Sequence, residues 1–252
     1  KVSYDVEPFD LTVKYCDEMS TEILLKNLAH PNITRILGYG QDEKGRYIIR
    51  EYVDGKNLKE MLGKDTKLTD RQFLTIACQI IDAIQYLHAQ GIVHGDIKPE
   101  NILIPTELER EFVKVTDFGL SRSLMHDFEQ SIDTTIVRGT MDYMAPEQLH
   151  ERQNPTQLSD IYSLAKLLLR MQTGKLQHYP SITALKRKFG QHSNECSPQM
   201  QLNDDLELCL LSNSSERTTI KKIKKDFENL VTNPTRRMHK EYQKKLEELK
   251  TE

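Results

Sequence analysis

Cysteine is scarce in this chain, and its spacing matches neither a disulfide framework nor a metal cluster. The four cysteines, Cys16, Cys78, Cys196 and Cys209, form no CxxC pair and lie in apolar or mixed segments. Disulfide-rich secreted domains and zinc-binding modules place their cysteines at short, regular intervals. The pattern therefore predicts reduced thiols, and we expect a cytoplasmic protein.

The sequence also lacks a membrane-spanning segment. No apolar run approaches the roughly 20 residues that a helix needs to cross a bilayer. The first residues do not show the pattern of a signal peptide. We therefore expect a soluble protein that does not insert into a membrane.

An excess of positive charge is missing as well. The chain has 35 Lys and Arg residues against 38 Asp and Glu residues, which gives a net charge of −3. Nucleic acids and anionic membranes are held by basic surfaces. Basic residues do gather between 221 and 250, but acidic residues are interleaved with them, which is typical of a solvated helix face. The balance predicts no nucleic-acid partner.

The stretch at residues 92–103, IVHGDIKPENIL, carries the strongest chemical signal in the chain. Phosphoryl transfer needs a carboxylate to accept a hydroxyl proton, a cation near the moving phosphate and oxygen ligands for Mg²⁺. Asp96, Lys98 and Asn101 supply one of each. The spacing predicts a loop that holds one substrate hydroxyl and one metal ion.

Further motifs follow this stretch in a fixed order. They are DFG at 117–119, GT at 139–140, APE at 145–147, then Asp160 and Arg217. A single DFG triplet arises by chance, but an ordered series at this spacing does not. Together the motifs resemble the catalytic domain of the eukaryotic-type Ser/Thr protein kinases, and the chain is identified as a member of that family.

The resemblance implies an α+β, bilobal, protein-kinase-like fold with a small antiparallel β-sheet lobe and a mainly helical large lobe. Residues 1–53 would form the N-lobe, residues 54–233 the C-lobe and residues 234–252 a C-terminal helical extension. The extension carries a narrow apolar stripe, so it either docks on its own lobe or engages a partner helix. The Gly-rich loop of the family either lies upstream of the first residue or has been lost.

Periodicity supports this division of the chain. Alternating apolar residues predict strands over 33–39 and 46–53, joined by a turn at Asp42-Glu43-Lys44-Gly45. Apolar residues recur at intervals of three and four over 69–89, which predicts a buried helix. Thr69 and Gln72 form a candidate capping box at its start. A short strand pair is expected on either side of residues 106–110.

The resemblance assigns roles to the residues of the central loop and its neighbours. Asp96 would accept the proton of the substrate hydroxyl, and Lys98 would neutralise the transferring group. Asn101 and Asp117 would hold Mg²⁺. Lys14, in a segment similar to the Val-Ala-x-Lys strand of the family, would hold the α and β phosphates of ATP.

The resemblance also implies three structural roles. Asp160 would anchor the backbone of the central loop, His94 would pack beneath that loop, and Glu147 would form a buried ion pair with Arg217.

Other residues would complete the nucleotide site. Backbone groups of Glu51 and Val53 would bond the adenine edge, and Leu103 is assigned to the same site. An acidic residue on the helix predicted over Glu18 to Leu28 would pair with that lysine. We favour Glu22 for this role, although ungapped spacing places Thr21 there, Glu18 lies one turn earlier, and both glutamates could simply be exposed.

The family points to transfer of the ATP γ-phosphoryl group to protein hydroxyls. Lys98 and Thr140 favour Ser/Thr over Tyr as the acceptor. The alternative is a pseudokinase or kinase-like regulatory binding module. Its support is the missing Gly-rich loop, the displaced helix glutamate, Thr12 where a small apolar residue is typical, and Arg50 in a position that is usually apolar. Arg50 would either restrict the pocket behind the adenine or point elsewhere.

Gly95 stands where most of the family has an arginine before the catalytic aspartate. That arginine ordinarily grips a phosphorylated activation loop. We therefore predict that replacing Ser131, Thr134 and Thr135 together with alanine leaves phosphoryl transfer largely intact. The initial rate of the triple variant on a protein substrate measures this, and an abolished rate would contradict it.

Overall fold

The computed structural model describes most of the two lobes. It covers residues 11–16, 28–63, 68–106, 112–118, 141–150, 154–174, 209–210 and 214–232, and over 11–16 it describes the backbone alone. Glu22, residues 119–140 and the extension at 234–252 lie outside this part of the chain.

The first sheet has three antiparallel strands in the order β1-β3-β2. They are β1 (Leu11–Cys16), β2 (Ile36–Asp42) and β3 (Gly45–Glu51). The predicted turn joins β2 to β3, and the Asp42 carboxylate accepts a hydrogen bond from the backbone N–H of Lys44 at 2.8 Å. β2 begins three residues later than predicted, because Ile33 and Thr34 bond to another part of the chain.

The second sheet is also antiparallel and has the order β4-β5-β6. It contains β4 (Gly55–Asn57), β5 (Ile102–Pro105) and β6 (Lys114–Val115). Pairing of β5 with β6 confirms the predicted strand pair. A Cβ at Gly55 would lie 2.1 Å from the backbone oxygen of Ile104, so only glycine permits β4 to approach β5 this closely.

The described residues contain five α-helices and two single-turn 3-10 helices, Pro99–Asn101 and Ser214–Glu216. The predicted helix over 69–89 is present, and both reciprocal bonds of its capping box form: Gln72 N–H donates to Thr69 Oγ1 at 3.3 Å, and Thr69 N–H donates to Gln72 Oε1 at 3.2 Å. None of the described helices combines the length and apolar character needed to span a membrane. The helices are α1 (Leu58–Leu62), α2 (Asp70–Ala89), α3 (Pro146–His150), α4 (Gln157–Thr173) and α5 (Ile220–Thr232).

The core of the large lobe lies around α2 and α4. The side chains on the inner stripe of α2 are fully buried, as are those that meet them from α4. α5 packs against α2, where the rings of Phe73 and Phe227 lie 5.9 Å apart. The fully buried apolar residues on the two central helices include Ile76, Ile80, Ile84, Leu87, Leu164 and Leu168.

A short backbone ladder joins the segment before β2 to β6. Ile33 forms a parallel bridge with Val115. Thr34 N–H donates to Val115 O at 2.9 Å, and Val115 N–H donates to Asn32 O at 2.8 Å. The ladder ties the small lobe to the strand that ends beside Asp117. Two small antiparallel sheets with a helical lobe confirm the predicted α+β, kinase-like fold.

A buried ion pair connects α3 to the segment before α5. Arg217 donates two hydrogen bonds to Glu147, at 2.6 Å and 2.7 Å, and a third to the backbone oxygen of Leu158 at 3.0 Å. Its guanidinium also lies 5.1 Å from the centre of the Tyr162 ring. The pair that the motif order predicts is therefore present, and it fixes the end of the APE segment against α4.

We predict that Glu147→Gln destabilises the protein by about 3 kcal/mol, because it leaves a buried guanidinium without its charged partner. Urea denaturation followed by circular dichroism measures the change. Glu43→Gln is the matched control: Glu43 is exposed in the β2–β3 turn, and surface changes of this kind shift stability by less than about 0.5 kcal/mol. Equal midpoints for the two variants would contradict the prediction.

Candidate active site

The loop between α2 and β5 is held by one carboxylate on α4. Asp160 Oδ2 accepts from the backbone N–H of His94 at 2.8 Å, and Asp160 Oδ1 accepts from that of Gly95 at 2.8 Å. The Nε2 atom of His88 lies 2.8 Å from Oδ2. This confirms the prediction that Asp160 anchors the loop backbone. The anchor fixes the chain immediately before Asp96.

Gly95 adopts a left-handed backbone conformation, with φ of 79°. Residues with a Cβ disfavour this region, whereas glycine enters it without a steric penalty. The glycine therefore eases the turn into Asp96.

The three residues predicted from the loop lie together. Asn101 Nδ2 donates to the backbone oxygen of Asp96 at 2.7 Å and to Asp96 Oδ2 at 2.9 Å. Lys98 Nζ lies 2.7 Å from the same Oδ2 atom. The Asp96 and Lys98 side chains are only 12% and 15% exposed. A carboxylate with two donors on one oxygen is thus held in a fixed orientation with limited access to water.

Asn101 and Asp117 offer the ligand types that Mg²⁺ prefers. Because Asn101 Nδ2 is used for Asp96, the amide oxygen is the atom left for a cation. Thr116 N–H donates to Asn101 O at 3.0 Å, so the residue before Asp117 is bonded directly to the backbone of Asn101. Asp117 itself has φ of 62°, an uncommon conformation for a non-glycine residue.

This donor set fits magnesium bound together with phosphates. Mg²⁺ is usually held by one or two carboxylates, several waters and substrate phosphate oxygens, without a full protein cage. The described residues contain no group of three or more His, Cys, Asp and Glu side chains placed to hold a metal. A carboxylate and an amide oxygen therefore suit Mg²⁺ only when a phosphate ligand completes the shell.

Arg50 points directly at this site from the end of β3. Its Nη1 atom donates to Thr116 Oγ1 at 2.7 Å and also to Asp117 Oδ1. The two charged side chains are 18% and 19% exposed. The sequence left open whether Arg50 restricts the pocket behind the adenine or points elsewhere, and in the structure its guanidinium contacts Thr116 and Asp117. The sequence signal was an arginine in a usually apolar position, but its partner was missed.

His94 is a buried packing residue beneath the loop. Its ring meets Phe118 edge to face, with centroids 6.4 Å apart. Burial lowers the pKa of His94, against the opposing effect of the carboxylates of Asp160, Asp96 and Asp117. Its Nδ1 accepts from Asp96 N–H at 3.2 Å, while Nε2 is buried without a hydrogen-bond partner. The neutral ring, protonated on Nε2, accepts the bond at Nδ1 and leaves its Nε2–H without an acceptor among the described residues. The burial and the ring contact agree with the structural role expected for His94.

The structure describes only some of the residues that are predicted to bind the nucleotide. The backbone of Lys14 lies on β1 opposite Ile48. Leu103 on β5 and Val53 after β3 are both half-buried. Glu51 N–H donates to Arg35 O at 3.0 Å, so this N–H is not available to an adenine ring. Glu22 lies outside the described residues.

The Glu51 side chain has a structural contact that the sequence did not reveal. Its Oε1 atom accepts from Lys114 Nζ at 2.6 Å and from the backbone N–H of Arg35 at 3.0 Å. The carboxylate therefore links the end of β3 to β6, across the junction between the lobes.

Comparisons with known proteins agree with this geometry. The family described as protein kinase domain matches residues 10–231. The chain is 33% identical over 211 residues to the "Probable serine/threonine-protein kinase PknB" of Lactococcus lactis, covering 82% of this chain and 31% of that protein. It is 39% identical over 150 residues to the serine/threonine-protein kinase PrkC of Bacillus subtilis, covering 60% of this chain and 22% of that protein.

A solved structure shows the same fold. The crystal structure of Rad53 in complex with AMP-PNP matches 85% of this chain and 56% of that chain, with a TM-score of 0.61 and 27% sequence identity. The chain spans about a third or less of the length of the curated relatives named above.

The buried His94 predicts a specific pH dependence of stability. An unfolded histidine binds a proton near pH 6.5, whereas the pKa of His94 in the folded protein is lower. Below pH 6.5 the unfolded state therefore binds more protons, and stability falls as the pH falls toward the folded pKa.

We expect His94→Asn to remove this contribution, which amounts to at most about 1.4 kcal/mol per pH unit. Urea midpoints between pH 7.5 and 5 measure it for both proteins. The wild-type protein should lose stability more steeply than the variant below pH 6.5, whatever the difference between them at neutral pH. Parallel curves would contradict the prediction.

Proposed function

Because this chain belongs to the protein kinase family, we propose that it is a serine/threonine kinase that transfers the γ-phosphoryl group of ATP to protein hydroxyls. The observation that carries the proposal is the cluster of Asp96, Lys98 and Asn101 on the loop anchored by Asp160. Membership of the family implies the use of ATP. The curated relatives named above are serine/threonine-protein kinases, which favours transfer over a purely regulatory role.

In the proposed reaction, Asp96 orients a serine or threonine hydroxyl and accepts its proton. The hydroxyl oxygen forms a bond to the γ phosphorus, the bond from that phosphorus to the ADP oxygen breaks, and the proton remains on Asp96. Lys98, whose ammonium lies 2.7 Å from Asp96 Oδ2, places positive charge beside the transferring group. Charge stabilisation and positioning supply most of the catalysis in phosphoryl transfer.

Asn101 and Asp117 would hold Mg²⁺, which when bound neutralises charge on the β and γ phosphates. Lys14 would hold the α and β phosphates, with Glu22 as the partner that aims it. Leu103, Val53 and the backbone carbonyl of Glu51 would contact the nucleotide. These assignments rest on matching positions in the family and on the ligand chemistry described above.

The domain boundaries and partners follow the same proposal. Residues 1–53 would form the N-lobe and residues 54–233 the C-lobe, with a protein substrate bound near the APE segment. The extension at 234–252 would dock on the large lobe or engage a partner helix. A cytoplasmic location is consistent with the predicted reduced thiols.

A regulatory module without transfer is the second candidate. The contact of Arg50 with Asp117 favours it, because this contact engages one of the two proposed metal ligands. The two functions differ in one measurable property, since only a kinase transfers the γ-phosphoryl group in a reaction that needs Asp96.

We predict that Asp96→Asn lowers the rate of phosphoryl transfer by about 10² to 10⁴, because a general base is lost. The measurement is transfer of radiolabelled γ-phosphate from ATP to a generic basic protein and to the kinase itself, with the full-length protein. Lys14→Ala tests the assigned phosphate contact in the same assay.

Asp42→Asn is the matched control, because Asp42 is exposed at the end of β2 and asparagine keeps an oxygen for Lys44 N–H. It should retain the wild-type rate. If the wild-type protein transfers no phosphate, or if Asp96→Asn is as active as wild type, the regulatory function replaces the proposed one.

A further inference from the structure

We propose that Arg50 is a built-in counter-ion of the metal site, which occupies an oxygen of Asp117 and must leave before a divalent cation binds there. Arg50 would thereby set the metal affinity of the chain. The inference rests on the proposed function in one respect, the assignment of Asp117 as a metal ligand. It goes beyond that function because it assigns a role to a residue outside the kinase motifs.

The position of Arg50 is imposed by the sheet. β3 is the central strand, and the backbone of Arg50 is paired with Thr12 on one side and Ile36 on the other. The backbone therefore has little freedom to turn the side chain away. The guanidinium leaves β3 and reaches across the junction between the lobes to the residues that follow β6.

A second contact holds the guanidinium in place. The nitrogen that bonds Asp117 also donates to Thr116 Oγ1 at 2.7 Å. That hydroxyl lies 3.2 Å from Thr34 Oγ1, and both threonines are almost completely buried. Arg50 is thus oriented by a small buried hydroxyl pair, and its contact with Asp117 is preorganised.

Burial gives this ion pair more weight than a surface pair. Arg50 and Asp117 side chains are each less than a fifth exposed. Charges in such a setting interact through a lower effective dielectric constant and are screened less by salt. Many exposed pairs contribute almost nothing to stability, so this distinction matters.

In this proposal the guanidinium and a divalent cation compete for the same carboxylate. Asp117 Oδ1 accepts an N–H of Arg50, and a metal ion bound to Asp117 would use the negative charge that this contact engages. A guanidinium and a divalent cation also repel each other at ligand distances. Metal binding through Asp117 therefore has to displace Arg50, and the free energy of breaking the contact is subtracted from the metal affinity.

The test compares Mn²⁺ affinity in the full-length protein, measured by electron paramagnetic resonance of free Mn²⁺ with saturating AMP-PNP. Arg50→Gln removes the charge and keeps a polar amide at this position. It should bind Mn²⁺ more tightly by about tenfold or more, because a like charge is removed from the ligand. Arg35→Gln, an equal charge change at an exposed position in the same lobe, should match the wild-type protein.

Unchanged Mn²⁺ affinity in Arg50→Gln would overturn the proposal, because the contact would then not compete with the metal. Weaker affinity would also overturn it and would make Arg50 a supporting residue of the site. If Arg50→Gln does not fold, Arg50→Met takes its place, because it restores the apolar character usual at this position. The same tightening is expected for it.

Asp117→Asn separates this inference from the proposed function. Wild-type Mn²⁺ binding that is weakened by Asp117→Asn establishes Asp117 as a ligand without any phosphoryl transfer. Even if the protein transfers no phosphate, this measurement can still show that Arg50 and a metal ion compete for Asp117. If Asp117→Asn leaves Mn²⁺ binding unchanged, the metal assignment in the proposed function fails, and the competition fails with it for that separate reason.

Discussion

The hydrogen bonds from the loop between α2 and β5 to the Asp160 carboxylate fix the geometry of the candidate active site. Asp160 is 1% exposed, so its charge has lost nearly all contact with water. Burying a carboxylate is costly unless hydrogen bonds replace its hydration. Two backbone N–H groups and a histidine nitrogen provide that replacement. Because two of these donors are the backbone immediately before Asp96, the same bonds that stabilise the buried charge also position the Asp96 carboxylate.

The site is assembled from both lobes. The loop that carries Asp96 and Asn101 belongs to the large lobe, and the N–H of Thr116, the residue before Asp117, donates to Asn101 O. From the small lobe, Arg50 contacts Asp117. The Glu51 carboxylate reaches Lys114 from the neighbouring position on β3. Arg50 and Glu51, two consecutive charged residues at the end of β3, therefore contact Asp117 after β6 and Lys114 within β6.

Several elements could be predicted from the sequence because their determinants are local. The helix α2 shows its apolar repeat and its capping box within a single segment, and the β2–β3 turn shows its own turn residues. β4 could not be predicted, because Gly-Lys-Asn has little preference for a strand and pairs only where β5 lies beside it. The start of β2 was placed too early for a similar reason, since Ile33 has a partner on β6 that no local pattern shows.

The sequence by itself determined the family and the close grouping of Asp96, Lys98 and Asn101, because residues on one short loop have few ways to lie apart. Motif order also pointed to the Glu147 and Arg217 pair. The roles of Lys14 and Glu22 stay predictions. Only the tertiary structure decided what Arg50 contacts, because its partner Asp117 lies 67 positions away on the other lobe. Long side chains have many rotamers, and folding alone selects the one that meets an opposite charge.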